Sequence, residues 1–193
     1  VVASTSEQTG SGEQILAGAR HLLRLNDDPD SRFHDRLDRS RVAAAGHSQG
    51  AAGTINAANH SDGLIRTVVT IALPNNLILA LVPPNWFDVT ALRAGALYLG
   101  GSRDLLIAPP LVQCAHYVRT RGVAALAVLK GADHVTIQGD GGRFLGYLTA
   151  WLQFQLRDDA DAARAFTGDH PELDGNSHWQ QQAHKNLAKD PRQ

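Results

Sequence analysis

The stretch Arg41-Val42-Ala43-Ala44-Ala45-Gly46-His47-Ser48-Gln49-Gly50 decides how the rest of the chain is read. An apolar run ends in Gly-His-Ser-Gln-Gly, and small residues follow at once: Ala51-Ala52-Gly53-Thr54-Ile55-Asn56-Ala57-Ala58. This order predicts a strand over 41–46, a sharp turn, and a helix over 49–59. A Gly-x-Ser-x-Gly motif in that setting is a nucleophile elbow, which lifts a serine hydroxyl above the end of a strand. The turn strains the serine backbone and needs neighbours without bulk, which Gly46 and Gly50 supply. The first N–H groups of the next helix have no intrahelical acceptor and point to where negative charge develops in acyl transfer. The motif alone is a weak signal in a glycine-rich chain, with a plain turn as the alternative. The strand before it and the helix after it favour the reactive reading.

Working outward, the 193 residues suffice for one domain with a sizeable core. A net charge of −1 gives no footprint for nucleic acid and no polybasic membrane patch. No apolar run approaches the length of a membrane span. The single cysteine, Cys114, excludes an internal disulfide and a cysteine-based metal site, and reads as a small buried hydrophobe. The nine histidines show no His-x-x-x-His spacing, so no metal is expected. No signal peptide is present, and Val1-Val2-Ala3-Ser4 already reads as the inside of a strand, as if the chain began within its fold.

Ser11-x-x-Gln14 is a capping-box pattern opening a helix from about Gly12 to Leu25, with Ile15, Leu16, Ala19, Leu22 and Leu23 on one face. Residues 26–40 are charged, carry Pro29 and read as an exposed excursion. The β-branched run 64–72 predicts a buried strand. Residues 73–93 hold Pro74, Pro83 and Pro84 among many apolar side chains, including Trp86. Such a loop either lines a substrate pocket or caps the core. Residues 94–101 predict a strand, and 109–121 a helix with Leu111, Ala115 and Val118 spaced for one face. A strand over 123–129 and a helix over 142–156, with Phe144, Leu148, Trp151 and Leu152 inward, complete a core within 1–157. Residues 158–193 read as a polar, partly helical tail to the same single domain. Strands alternating with helices mean an α/β fold: a mostly parallel sheet with helices on both faces.

An activated serine needs a base, and the base needs an orienting acid. In α/β-hydrolases they follow in the order Ser, Asp or Glu, His, and sites in open α/β sheets lie at the C-terminal strand ends. Asp104 follows the strand ending Leu99-Gly100-Gly101; Asp88, in the long loop before that strand, is second choice. A turn or capping role is the plain alternative for Asp104. His134 follows the next strand, in Lys130-Gly131-Ala132-Asp133-His134. His116 falls inside a helix, and His170, His178 and His184 fall in the tail. The neighbouring Asp133 is poorly placed to orient His134 and reads as a cap or a surface residue. The Gln49 N–H is the candidate oxyanion donor, and the Gln49 side chain a wall of the site. His47 reads as packing beside the nucleophile and, with Trp86, as a candidate substrate contact.

Gly46-His47-Ser48-Gln49-Gly50, Gly101-x-x-Asp104-x-x-x-Ala108-Pro109 and Gly131-Ala132-Asp133-His134 together resemble the cutinase-like bacterial polyesterases. That group includes the polyethylene terephthalate hydrolases within the wider dienelactone-hydrolase-like set. The gaps of 56 residues from Ser48 to Asp104 and 30 from Asp104 to His134 are similar too. So are Thr9-Gly10-Ser11-Gly12 before a helix and Tyr147-Leu148-Thr149-Ala150-Trp151-Leu152 in the last core helix. The tail around Phe166, Pro171-Glu172-Leu173 and 176–187 is similar to a subgroup of secreted esterases. The resemblance implies an α/β-hydrolase fold and a serine esterase acting without a cofactor on small or polymeric esters. It also implies a Ser48-His134-Asp104 triad and secretion. Amide or thioester cleavage, or an inert binding module, are the alternatives, since one fold serves all of these.

Three departures from the family pattern stand out. The family's first strands, with the loop that gives the second oxyanion donor and an aromatic clamp, would precede Val1. The polyesterase tryptophan after the strand ending near Ala72 is replaced by Leu73-Pro74-Asn75, and the C-terminal disulfide cannot form. If the strand 41–46 is left with an open edge, self-association or pairing with a missing N-terminal segment is expected.

Overall fold

The computed structural model describes Ala3, residues 9–79 and residues 85–187. In chain order the elements are α1 (Glu13–Asp27), β1 (Val42–His47), α2 (Gln49–Asn59), β2 (Ile65–Ile71), α3 (Asn76–Leu79) and β3 (Gly95–Gly101). Then come α4 (Pro110–Arg119), β4 (Ala124–Leu129), a 3-10 turn (Thr136–Gln138), α5 (Phe144–Arg157), α6 (Ala160–Ala163), α7 (Glu172–Gly175) and β5 (Trp179–Lys185). The strands form one sheet in the order β1-β2-β3-β4-β5. The first four run parallel and β5 is antiparallel to β4. The chain has the α/β architecture expected from its alternating pattern.

The two faces of the sheet bury two separate cores, and period-two alternation along the strands sorts residues between them. Val68, Ala96, Tyr98, Ala124, Leu126 and Val128 face α1, α2 and α4. Val69, Leu97, Leu99, Ala125, Ala127 and Leu129 face Phe144, Tyr147 and Trp151 of α5. Strands β3 and β4 are buried along their whole length, as parallel strands covered on both sides must be. Strand β1 is mostly half-buried, and among the described residues its one partner is β2. The expected strand at Val1–Ser4 lies, apart from an exposed Ala3 outside any strand, beyond the described residues.

Helix α1 starts at Glu13, with Gly12 at its cap position in a left-handed conformation (φ 79°) and the Ser11 hydroxyl accepting from Glu13 N at 3.4 Å. Two readings need correction. Helix α4 turns its expected apolar face outward: Leu111 and Val118 are more than 70% exposed, and Gln113 and His116 are buried instead. Gln113 donates to the carbonyls of Leu73 (2.8 Å) and Ala108 (3.4 Å), and the His116 ring bonds the Pro74 carbonyl (3.1 Å). Buried loop carbonyls need donors, and here α4 supplies them. The segment after residue 157, read as a polar helical tail, carries a strand and belongs to the core. Phe166, Leu173 and Trp179 are buried against α5, and β5 pairs with β4. The pattern of β5, Trp-Gln-Gln-Gln-Ala-His-Lys, hides a strand because its only two apolar residues go to different cores, Trp179 to one and Ala183 to the other, across an irregular register.

Candidate active site

Strands β1 to β4 end nearly level. His47 pairs with Ile71, Ile71 with Leu99, and Gly101 with Leu129. The loops leaving them therefore emerge on one rim of the sheet, and that rim gathers Ser48, Asp104 and His134.

Ser48 belongs to strand and helix at once. Its N–H continues the β ladder to the Ile71 carbonyl (3.0 Å), and its own carbonyl accepts from Ala51 N (2.9 Å) and Ala52 N (3.4 Å) at the start of α2. Serving both elements forces φ to 56° and ψ to −123°. That is a region other residues avoid, at a cost on the order of 1–3 kcal/mol. A Cβ on Gly46 would lie 2.3 Å from the Gly50 carbonyl oxygen, so only glycine fits there. A Cβ on Gly50 would meet nothing closer than the Thr9 hydroxyl at 3.5 Å, an ordinary contact. The elbow thus depends on the first glycine far more than on the second. Helix α2 begins at Gln49 directly after the serine, which leaves the N–H groups of Gln49 and Gly50 without intrahelical acceptors.

Asp104 is held by hydrogen bonds. Its Oδ1 accepts from the N–H groups of Ile107 (3.2 Å) and Ala108 (3.0 Å), leaving Oδ2 free to face His134. The side chain is 2% exposed. Its loop is locked to the next one: Arg103 N donates to the Ala132 carbonyl (2.8 Å), and Gly131 N to the Ser102 hydroxyl (2.8 Å). Gly101 permits this approach, since a Cβ there would sit 2.5 Å from the Ala132 oxygen.

His134 closes the set. Its Nδ1–H donates to Asp104 Oδ2 at 2.6 Å, and its Nε2 accepts from Ser48 Oγ at 2.9 Å. That assignment follows from the acceptor-only carboxylate. Asp133 caps the turn instead of touching the imidazole. Its Oδ1 takes bonds from Val135 N (3.1 Å) and the Thr136 hydroxyl (2.7 Å), which holds its pKa below the ordinary carboxylate value. Asp88 is likewise a turn residue, bonded to Thr90 N and Oγ1 (2.8 and 2.7 Å).

His47 does more than fill space: its Nε2 bonds the His134 carbonyl at 2.7 Å, and the two rings lie 4.8 Å apart. Burial pushes its pKa below the usual imidazole value. Trp86 is 63% exposed, and its carbonyl accepts from Asn56 Nδ2 of α2. Its side chain has no hydrogen bond or ring contact with the three rim residues among those described. Gln113 was not legible as a site residue. Its bond to the Ala108 carbonyl supports the loop around Asp104, and no local motif marks such a tertiary contact.

Exposed apolar side chains border the rim: Leu105 and Leu106 directly after Asp104, and Val135 directly after His134. A separate open concavity of about 820 Å³ between Asp169 and His178 includes none of the three rim residues. Among the described residues no group of three His, Cys, Asp or Glu side chains is placed to hold a metal, and no helix is long and apolar enough to cross a membrane. Burial raises the pKa of the Cys114 thiol, away from reactive thiolate.

No curated protein matches the chain. A family model described as PETase, PET hydrolase-like, matches residues 2–184, which takes in the elbow, both loops and all of the described sheet but the last residue of β5. The chain therefore belongs to the PET hydrolase-like family of ester-hydrolysing α/β hydrolases.

Proposed function

We propose that the protein cleaves carboxylic esters through a covalent acyl-serine intermediate, with Ser48 as nucleophile, His134 as general base and acid, and Asp104 as its orienting partner. One observation carries this reading: the unbroken relay from Ser48 Oγ through both nitrogens of His134 to a buried Asp104 carboxylate. Ser48 Oγ attacks the ester carbonyl carbon while its proton passes to His134 Nε2. The imidazolium so formed is stabilised by Asp104 Oδ2, and the oxyanion accepts the Gln49 N–H. Collapse breaks the bond to the alcohol, which takes the proton from Nε2. Water then attacks the acyl-enzyme by the same route, releasing the acid and restoring Ser48.

The exposed Leu105, Leu106 and Val135, with Trp86 on the β2–β3 loop, favour esters with apolar acyl or aromatic groups over charged ones. Hydrolysis of p-nitrophenyl acetate and butyrate, and release of soluble acid from a polyester film, test the reading. Parent activity that disappears in Ser48→Ala supports it; activity retained in that variant ends it.

A further inference from the structure

His47 stands immediately before the candidate nucleophile, yet its polar contact is with the residue on the far side of it. The His134 carbonyl accepts the His47 Nε2–H at 2.7 Å. Among the described residues no backbone N–H reaches that carbonyl. Around it, the loop is tied by its own side chains, Asp133 and Thr136, which fix the turn but not the direction of the imidazole. The His47 ring also lies against the His134 ring, with centroids 4.8 Å apart and planes tilted by 45°. One side chain thus restrains both the backbone and the ring of the candidate base, and it does so from β1, a rigid strand end.

We propose that His47 is a positioning residue: through its Nε2–H bond to the His134 carbonyl and its ring contact, it keeps the imidazole aligned between Ser48 and Asp104. The proposal rests on the reading of His134 as the base. Because the acceptor is a carbonyl oxygen, Nε2 must carry a proton. Burial favours the neutral ring, with Nδ1 bare. A neutral neighbour suits an imidazole that must become positive during the reaction, since a second cation there would oppose it. Two simpler roles make different demands. A space filler could be any aromatic ring, and a wall of the substrate site would act on substrate binding and not on turnover.

His47→Phe and His47→Gln separate these roles. Phenylalanine keeps the ring and loses the donor; glutamine loses the ring and places an amide N–H near the position of Nε2. Two readouts are used: steady-state kinetics with p-nitrophenyl acetate, and the low-field proton resonance of His134 Nδ1–H, assigned by its loss in Asp104→Ala. The expected result for His47→Phe is a kcat about 10-fold lower with KM within about twofold, and a broadened low-field resonance. His47→Gln should recover kcat to within about threefold of the parent and keep the resonance sharp. If the phenylalanine variant does not fold, His47→Asn replaces it, because its shorter amide cannot span to the carbonyl. A donor-less variant with parental kcat and a sharp resonance would overturn the proposal, as would a change confined to KM. If ester hydrolysis survived Ser48→Ala, the esterase reading would fail, and the resonance comparison would still decide what His47 does to His134.

Discussion

Ser48 and Asp104 each follow the end of a parallel strand on one rim, yet different forces hold them. Ser48 is fixed by covalent geometry: one residue closes a β ladder, opens a helix and accepts a strained backbone to do both. Asp104 is fixed by tertiary hydrogen bonds, two from its own loop to Oδ1 and, behind them, the Gln113 side chain on the Ala108 carbonyl. Strain of the first kind selects glycine and leaves a motif in the sequence. Support of the second kind can come from any donor that the fold brings near, and leaves none.

At the acid the expected effect is far larger than at any of its supports. Asp104→Asn keeps the shape but offers an amide where His134 needs an acceptor, which favours the wrong imidazole tautomer. Turnover of a p-nitrophenyl ester should fall about 10⁴-fold, whereas Asp88→Asn, a change at a surface turn, should leave it nearly unchanged. The opposite ranking would reassign the acid.

The elbow should break by sterics. Gly46→Ala places a methyl 2.3 Å from a carbonyl oxygen in a backbone that cannot yield, and should cost on the order of 3 kcal/mol in urea unfolding. Gly50→Ala meets only an ordinary contact and lies in a helix, so its unfolding free energy should change by less than about 1 kcal/mol. Equal losses at the two glycines would show that the motif is held by something other than this close approach.

Helix α4 gives a pH test of the hydrogen-bonded region. Burial, and secondarily the Arg119 charge, lower the His116 pKa from 6.5 to about 4, against the opposing pull of the Pro74 carbonyl. The folded state therefore prefers neutral His116, and the unfolded chain binds more protons between those values. This contribution is fully present above about pH 6.5 and is lost as pH falls toward 4, amounting to about 3 kcal/mol. His116→Gln, which keeps a donor but does not titrate, should flatten the dependence of urea midpoint on pH over that window. An unchanged slope would mean that His116 is not the group being protonated.

Gln113→Leu should cost less, about 1 to 2 kcal/mol. Two buried carbonyls lose a donor, but the Gln113 Oε1, itself buried without a partner among the described residues, is removed as well. Turnover should fall with it as the loop around Asp104 loosens. Leu111→Ser on the outward face of the same helix should change stability by no more than about 0.5 kcal/mol.

The same contrast explains what could be read from the chain alone. The parallel strands and α2 were legible because small residues and continuous apolar runs match their environments on both sides. The spacing of Ser48, Asp104 and His134 along alternating strands and loops was legible because strand order dictates which loops share a rim. The α4 face was misread because Leu111 and Val118 offer the better apolar stripe, while the loop carbonyls at Leu73 and Pro74 draw Gln113 and His116 inward. Strand β5 was missed because an antiparallel outer strand packed mainly through Trp179 needs little apolar sequence. The bond from His47 to the His134 carbonyl spans 87 residues, beyond the reach of any local pattern.

On the proposed reading, Ser48 is a nucleophile made reactive by His134. Treating the parent, Ser48→Ala and His134→Ala proteins with a fluorophosphonate, and mapping the adduct by peptide mass spectrometry, tests it directly. Ser48 should be modified rapidly in the parent, that peptide not at all in Ser48→Ala, and labelling should slow by orders of magnitude in His134→Ala. An unlabelled Ser48 in the folded parent, or one labelled equally fast without His134, would contradict it.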